Sequence, residues 1–530
     1  MQFFKKLFAG IACSILFFSS PVCGAAVTVS GNAAELKIGL AADVSSLDPH
    51  YLNVASNVAF SSHVFDALVN IDADGKLVPG LATSWHAVDA THWVFNLRRG
   101  VRFHDGSEFS AEDVIFSLDR PATITNSPGP FSNYTKQIVA KRIIDPYTVE
   151  LTTAAPYGPL ALDVSTIFMV SKKAALHAST EDFNSGKAMI GTGPYQFVSF
   201  RRGDKLVVKR NDHYWGEKSA WDKVTFRIIT SAAPRLAALL AGDVDVIEGV
   251  PTADVERLKT DHRFRIAQKI SWRTIFWQLD QREKTPIEIT DLAGRPLPHN
   301  PLSDVRVRRA LSMSINRQAL VDHTMEGVAV PASNIVGPGA IGYNPSLEVQ
   351  NYDPEGAKKL LAQAGYPQGF AMVLHGTNNR YINDAQVVQT VAQFFNHIGI
   401  RASVQTLPLS VYFGKARTGI FDAAMLGWGT LAGDFALRAL VATKNPELGW
   451  GSWNWGYYSN LDVDRAMQAA LSSVDQTKRA AFAQQAMKVA MEDVAVIPLY
   501  HQYATWAMRK GLQYTARTDE FTFAHQFRPQ

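Results

Sequence analysis

Two stretches of this chain repeat the order strand, helix, strand, and that order restricts the fold more than any other feature of the sequence. Residues 225–230 (T-F-R-I-I-T) predict a strand, and residues 233–241 predict a helix with proline in its first turn. Gly242 ends that helix, and residues 245–250 predict the next strand. Such a unit pairs its strands in parallel and places the helix on one face of the sheet.

The second unit lies further along the chain. Residues 370–375 predict a strand, residues 384–397 an amphipathic helix that stops at Gly399, and residues 400–406 the next strand. Residues 421–428 (F-D-A-A-M-L-G-W) predict one more buried strand. Together with a strand predicted over residues 35–40, these units indicate a mixed α/β architecture.

Between the two units, residues 304–323 have the apolar spacing of a single helix. Its other side carries Arg306, Arg308 and Arg309, which is typical of a solvated helix face. A loop rich in proline and glycine, residues 294–301, precedes this helix. The loop predicts that one lobe ends near residue 290 and another begins.

The first 25 residues have the pattern of a secretory signal. Lys5 and Lys6 precede an apolar run over residues 7–18, and small residues follow at Cys23, Gly24 and Ala25. The run is shorter than the roughly 20 residues that span a bilayer, so an uncleaved anchor is disfavoured. A lipoprotein is disfavoured as well, because the residues before Cys23 lack the usual leucine. The sequence therefore predicts an exported protein.

Composition narrows the class of this exported protein. Both cysteines, Cys13 and Cys23, lie in the signal, so the chain after residue 25 has no disulfide, thiol nucleophile or thiolate metal ligand. Its stability must come from core packing, and 530 residues suffice for two to four lobes of roughly 100–200 residues each. With 52 basic and 48 acidic side chains, it has no charge pattern for binding nucleic acid.

The sequence contains none of the catalytic motifs that we tested. Residues 337–342 (G-P-G-A-I-G) match the spacing of a dinucleotide-binding loop, but proline stands inside the match and no helix follows it. No H-E-x-x-H, G-x-S-x-G or phosphate-binding loop occurs. We therefore predict a protein that is not an enzyme, with no catalytic residue, metal site or cofactor.

Aromatic side chains are concentrated in the C-terminal third. They are Trp428, Trp450, Trp453, Trp455, Tyr457 and Tyr458, separated by glycine and asparagine. Aromatic residues of this kind line pockets for small organic ligands, and they equally well pack a core between lobes. The sequence leaves both interpretations open.

Several segments together resemble a known family. They are residues 46–49 (S-L-D-P), 77–85 (L-V-P-G-L-A-T-S-W), 93–120, 191–195 (G-T-G-P-Y), 210–216 (R-N-D-H-Y-W-G), 242–247, 304–322 and 352–366. In this order they resemble the extracellular solute-binding proteins of the peptide and nickel type, which are the receptors of ABC importers. The resemblance covers nearly the whole chain after the signal.

The resemblance implies a periplasmic protein with a two-lobed clamshell and an additional smaller α+β lobe. Lobe I would combine residues 26–75, 190–285 and 501–530, the extra lobe residues 76–189, and lobe II residues 286–500. A monomer of this kind would close around a peptide or peptide-like ligand and deliver it to an ABC permease in the inner membrane. Some relatives bind a nickel chelate or haem instead, and a secreted hydrolase is the remaining alternative.

The resemblance also suggests ligand-binding residues. Arg380 (in N-N-R-Y-I-N-D) matches an arginine that holds the peptide carboxylate in dipeptide-binding relatives. Those relatives place an aspartate for the peptide amino group where this chain has Leu431, and the nearest acid is Asp434. We expect the ligand to lie between Trp428 and the aromatic residues Trp453, Trp455 and Tyr458. Asp48, in the S-L-D-P segment, completes the candidate site.

Overall fold

The computed structural model describes residues 34–530 of the chain. The predicted signal and Cys23 lie outside the described residues. Among residues 34–530, no helix is long and apolar enough to cross a membrane.

An eleven-stranded mixed sheet runs through the molecule. Ten of its strands follow one another across the sheet in this order: Arg401–Leu407, Ala371–Thr377, Ala423–Gly429, Phe264–Leu279, Ile497–Arg509, Val246–Glu248, Glu35–Leu40, Lys223–Ile228, Lys205–Arg210 and Tyr195–Arg201. The eleventh strand, Ala329–Pro331, pairs with Ile497–Arg509.

Both predicted strand–helix–strand units are confirmed. In the first, helix Ala232–Ala241 ends at Gly242, whose φ of 86° lies in the left-handed region. Its two strands are parallel, although Glu35–Leu40 lies between them. In the second unit, helix Asp384–His397 connects two strands that are direct parallel neighbours.

Two long strands at the centre of the sheet, Phe264–Leu279 and Ile497–Arg509, are called the crossing strands below. They pair antiparallel over residues 264–270 and again over residues 274–277. The register is broken between Ile270 and Thr274, so the three residues Ser271 to Arg273 leave the ladder. This interruption divides the sheet into two halves.

Buried apolar side chains form separate cores around these halves. One half, with residues 36–60 and the C-terminal tail, forms the core of lobe I. The other half is packed on both faces by residues from 275 to 500 and forms lobe II. Because the crossing strands belong to both lobes, the boundary at 285/286 stays a prediction.

A third core surrounds a separate four-stranded antiparallel sheet, and we call this part the extra lobe. The order of its strands is Ala82–Ala87, His92–Leu97, Thr148–Thr153 and Ile138–Asp145. Helix Ala111–Asp119 begins at Ser110, whose side chain and that of Asp113 form a reciprocal cap.

The remaining elements connect and cover the sheets. The longer helices are Ala55–Val64, Thr252–Thr260, Pro354–Gln363, Leu409–Arg417, Gly433–Leu440, Leu461–Ser472 and Gln476–Glu492. The short helices are Arg120–Thr123, Ser132–Thr135, Leu160–Val164, Lys172–Ala175, Thr180–Asn184, Pro301–Ser303 and Ala524–Gln526, and the short strands are Val69–Ile71, Leu77–Pro79, Leu512–Gln513 and Arg528–Pro529.

The prediction of a single helix over residues 304–323 is wrong. Helix Val305–Met313 ends, and after a break the chain continues as Arg317–Ala319 and a π-turn, Leu320–Thr324. Asn316 causes the restart, because its side chain accepts a hydrogen bond from the Ala319 N–H at 2.9 Å.

The solvated-face interpretation of this helix is wrong for Arg308. This side chain is only 4% exposed and donates to carbonyl oxygens of Leu302, Ser303 and Val494. Arg308 therefore links helix Val305–Met313 to the residues that follow helix Gln476–Glu492 and to the short helix Pro301–Ser303.

Candidate functional site

A cavity of about 460 Å³ lies beside the interruption of the crossing strands. Lobe I contributes the end of its first strand, the crossing-strand residues 502–506 and the tail residues 520–522. Lobe II contributes the loop of residues 379–382 and Leu409. We call this space the cleft cavity, and its volume is within the usual range of small-molecule sites.

Arg380 is the free cation of the cleft cavity. Its side chain is exposed to the cavity, and within residues 34–530 its guanidinium makes no hydrogen bond or ion pair. The backbone beside it is fixed, because Asp384 accepts hydrogen bonds from the N–H groups of Arg380 and Tyr381 at 2.9 and 3.2 Å. A rigid loop thus holds a guanidinium whose donors are available.

A second arginine lies close to Arg380 but is neutralised. Arg273, in the interruption, makes two hydrogen bonds to Glu520 at 2.7 and 3.2 Å. Glu520 also accepts from Gln502 at 2.8 Å, and although burial opposes its ionisation, Arg273 holds the pKa of Glu520 below its usual value. Removal from water lowers the pKa of Arg380, and the like charge of Arg273 lowers it further. An anion bound at Arg380 would offset both effects, because it stabilises the charged form of the guanidinium.

Aromatic side chains form part of the remaining cavity wall, among small and aliphatic residues. Phe60, Phe226, Tyr503, Trp506 and Phe521 line it.

The other lining carboxylate, Glu248, accepts hydrogen bonds from the Ala41 N–H at 2.8 Å and from the Thr522 hydroxyl. Burial raises the pKa of Glu248 above its ordinary value. Both lining carboxylates, Glu248 and Glu520, are thus occupied by partners within the protein.

Asp434 does not lie at the cleft cavity. It is fully buried in lobe II, where Arg479 binds both of its oxygens at 2.6 and 3.0 Å. Arg479 is itself only 1% exposed. Asp434 therefore has no free oxygen for a ligand amino group in this arrangement.

Leu431 lines a different cavity, also of about 460 Å³, which we call the second cavity. Gly75, Trp85, Trp93 and Gly339 line it too, and its lining contains no carboxylate. Leu431 is therefore separated from Arg380.

The positions of the aromatic residues in the C-terminal third favour the interpretation that they pack a core. Trp455 and Tyr458 are 4% and 3% exposed and belong to a hydrophobic core of lobe II. Trp428 and Trp453 are half-buried and pack against that core, with their ring centroids 5.6 Å apart. None of the four lines the cleft cavity.

Asp48 is also engaged by partners within the protein. It is 2% exposed and binds Arg120 through both oxygens at 2.7 and 2.8 Å, and Thr180 donates to it at 2.8 Å. This buried pair joins the loop after the first strand to the extra lobe. Of the predicted site residues, the structure places Arg380 alone at the cleft cavity.

Comparison with known proteins identifies the family. Residues 76–438 match the family model of the bacterial extracellular solute-binding proteins, family 5. The chain belongs to this family.

Two curated relatives of this family-5 protein match over nearly their whole length. It is 28% identical to the glutathione-binding protein GsiB of Salmonella choleraesuis over 494 residues, which cover 91% of both chains. It is 26% identical to the dipeptide-binding protein of Escherichia coli, over 90% of this chain and 95% of the relative.

The fold agrees with a solved structure. The ABC transporter-associated periplasmic binding protein DppA from Helicobacter pylori, in complex with the peptide STSA, superposes with a TM-score of 0.76 at 23% identity. The match covers 94% of this chain and 98% of that one. The family-5 protein thus has the predicted two-lobed clamshell with an additional lobe.

Sequence reasoning missed Arg273, Gln502 and Glu520. Arg273 lies more than 200 residues before Gln502 and Glu520 along the chain, and only the register of the crossing strands and the returning tail brings the three together. No local pattern in the sequence marks these three residues. Within residues 34–530 of this family-5 protein, no group of three His, Cys, Asp or Glu side chains is placed to hold a metal ion.

Proposed function

We propose that this protein is the periplasmic substrate-binding subunit of an ABC importer and that it captures peptides or peptide-like carboxylates in the cleft cavity. Lobes I and II close around the ligand by rotation at the interruption of the crossing strands. The single chain then delivers the ligand unchanged to a permease in the inner membrane. The lobe boundaries are those expected from the sequence, with the extra lobe over residues 76–189.

The observation that carries this proposal is the guanidinium of Arg380, which has no hydrogen-bond or ion-pair partner within residues 34–530 and lies in a cavity whose wall includes several aromatic side chains. A guanidinium meets a carboxylate with two charge-assisted hydrogen bonds, which are stronger than neutral ones. Arg273 cannot compete for the same anion, because Glu520 already neutralises it. The names of the curated relatives, which bind glutathione and dipeptides, support a ligand of this class.

The second part of the proposal concerns the amino end of the ligand. Within residues 34–530, the two carboxylates that line the cleft cavity, Glu248 and Glu520, are both engaged by partners in the protein, and neither is free to bind an α-ammonium group. A desolvated ammonium without a partner is costly. We therefore propose a longer or modified peptide-like ligand, whose amino group is blocked or lies away from the cleft cavity.

Mass spectrometry of released guests tests the ligand class. The protein is purified from its own periplasm and denatured, and we expect a carboxylate-containing compound with amide bonds. Calorimetry then compares reduced glutathione, tripeptides and their N-acetyl forms with matched C-terminal amides. Equal affinity for acids and amides would contradict the role of Arg380.

The same samples separate the alternatives. Nickel or a haem absorption band in the released guest would indicate a metal-chelate or haem receptor. Chemical conversion of a peptide during incubation would indicate a hydrolase.

A further inference from the structure

The extra lobe touches lobe II along a contact that we call the seam, formed by residues 157–163 on one side and residues 471–479 on the other. The Gly158 N–H donates to the carbonyl oxygen of Leu471 at 2.8 Å. The Gly158 carbonyl oxygen faces the side chains of Arg479 and Gln476, each with a donor at 3.5 Å. One glycine thus makes polar contacts with three residues of lobe II.

The close approach requires glycine at this position. A Cβ added to Gly158 would lie 1.9 Å from the carbonyl oxygen of Ser473, which is backbone and cannot turn away. The φ of Gly158 is not in the left-handed region, so its backbone conformation alone would accept alanine. Proximity to lobe II is therefore the reason for glycine here.

The lobe II side of the seam is held in place by the buried pair of Arg479 and Asp434. Asp434 binds two donors of Arg479, and a third donor of the same guanidinium points at Gly158. Charge pairs buried this fully fix geometry, because neither partner can leave without stranding the other. The pair positions Arg479 for the extra lobe.

A second contact joins lobe II to lobe I on the cleft side. Asn383, three residues after Arg380, donates to the Thr252 hydroxyl at 3.1 Å. Lobe II has its own packed cores, so the rotation at the interruption that the proposed function requires would move residues 471–479 together with Asn383.

We propose that the seam is a clamp that forms together with closure of the cleft, so that the extra lobe slows the opening of lobe II and the release of the guest. The part of this proposal that concerns guest release rests on the proposed function. The coupling between the seam and the cleft belongs to the fold and is testable without any ligand.

The experiment cross-links the cleft and observes the seam. Thr252→Cys and Asn383→Cys are joined by a bis-maleimide, which is specific because the chain after residue 25 has no other cysteine. Hydrogen exchange then reports the Gly158 amide, in this background and with Gly158→Ala added. Gly414→Ala is the matched control, because a Cβ there would meet nothing within 4 Å.

We expect cross-linking to slow exchange at residue 158 at least fivefold in the parent and in Gly414→Ala, and to change it less than twofold in Gly158→Ala. In proteins without the cross-link, co-purified guest should dissociate at least threefold faster from Gly158→Ala than from Gly414→Ala. The clamp would be overturned if the cross-link left the exchange rate at residue 158 of the parent unchanged, or if both variants released the guest at equal rates. Neither result would affect the proposed function, which fails only if no guest of the stated class binds.

Discussion

Arg479 and Arg380 are two arginines of lobe II with opposite environments. Arg479 is buried and binds both oxygens of Asp434. Arg380 lines the cleft cavity, and its guanidinium has no hydrogen-bond or ion-pair partner within residues 34–530. The difference teaches that a paired buried charge serves the fold, whereas an unpaired charge held by a rigid loop is available to a ligand.

The largest effect should follow from breaking the paired arginine. Arg479→Met leaves Asp434 buried without its partner, which typically costs about 3–5 kcal/mol of unfolding free energy. Urea denaturation measures it. The double variant Arg479→Met/Asp434→Leu should recover part of the loss, and a stable single variant would contradict the structural role of the pair.

The unpaired arginine should show the reverse behaviour. Arg380→Ala is expected to weaken binding of the released guest by about 2–5 kcal/mol, because the ligand carboxylate loses its charged partner. Its unfolding free energy should change little, since the guanidinium makes no hydrogen bond or ion pair within residues 34–530 and loses only a contact with the Tyr381 ring, 5.3 Å from the ring centroid. Calorimetry and urea denaturation of the same sample measure both quantities, with exposed Arg417→Ala as a charge-matched control outside the cavity.

A smaller effect should appear in the pH dependence of stability near the paired arginine. Burial raises the pKa of Asp163 to about 7 from an ordinary 3.8, while the Tyr157 hydroxyl and the cations Arg438 and Arg479 oppose the rise and Asp434 supports it. A raised pKa means that the folded protein holds the proton more tightly. The stabilisation from this group is therefore complete below pH 4 and is lost as the pH rises to about 7.

Asp163→Asn tests this expectation, because the amide remains neutral at every pH. We expect little change at pH 4 and a stabilisation relative to the parent that grows as the pH rises and is complete near pH 8, measured by urea denaturation. A parallel pH profile for both proteins would show that Asp163 does not titrate in this range.

The elements that the sequence predicted well are those whose signal is local. Helix Asp384–His397 was predicted within its observed bounds, because its apolar spacing and its glycine stop lie inside the segment. The break at Asn316 depends on one side-chain cap, and the apolar spacing continues across it. Periodicity therefore could not reveal it.

The candidate site was harder to predict because its residues are defined by distant partners. Asp434 is a plausible ligand anchor until its partner Arg479, 45 positions away, is known. Trp455 and Tyr458 have the composition of a pocket wall and of a core alike, and only packing decides between them. Arg380 was found through a resemblance, and its role in binding stays a prediction.

Each crossing strand supplies interior hydrogen bonds to lobe I and to lobe II. If one lobe melted, the other would lose part of a central strand and expose its own core to water. We therefore expect heat or denaturant to unfold lobes I and II in a single cooperative transition. A molecule whose central pair of strands is interrupted over three residues is in this respect as indivisible as a small one-domain protein.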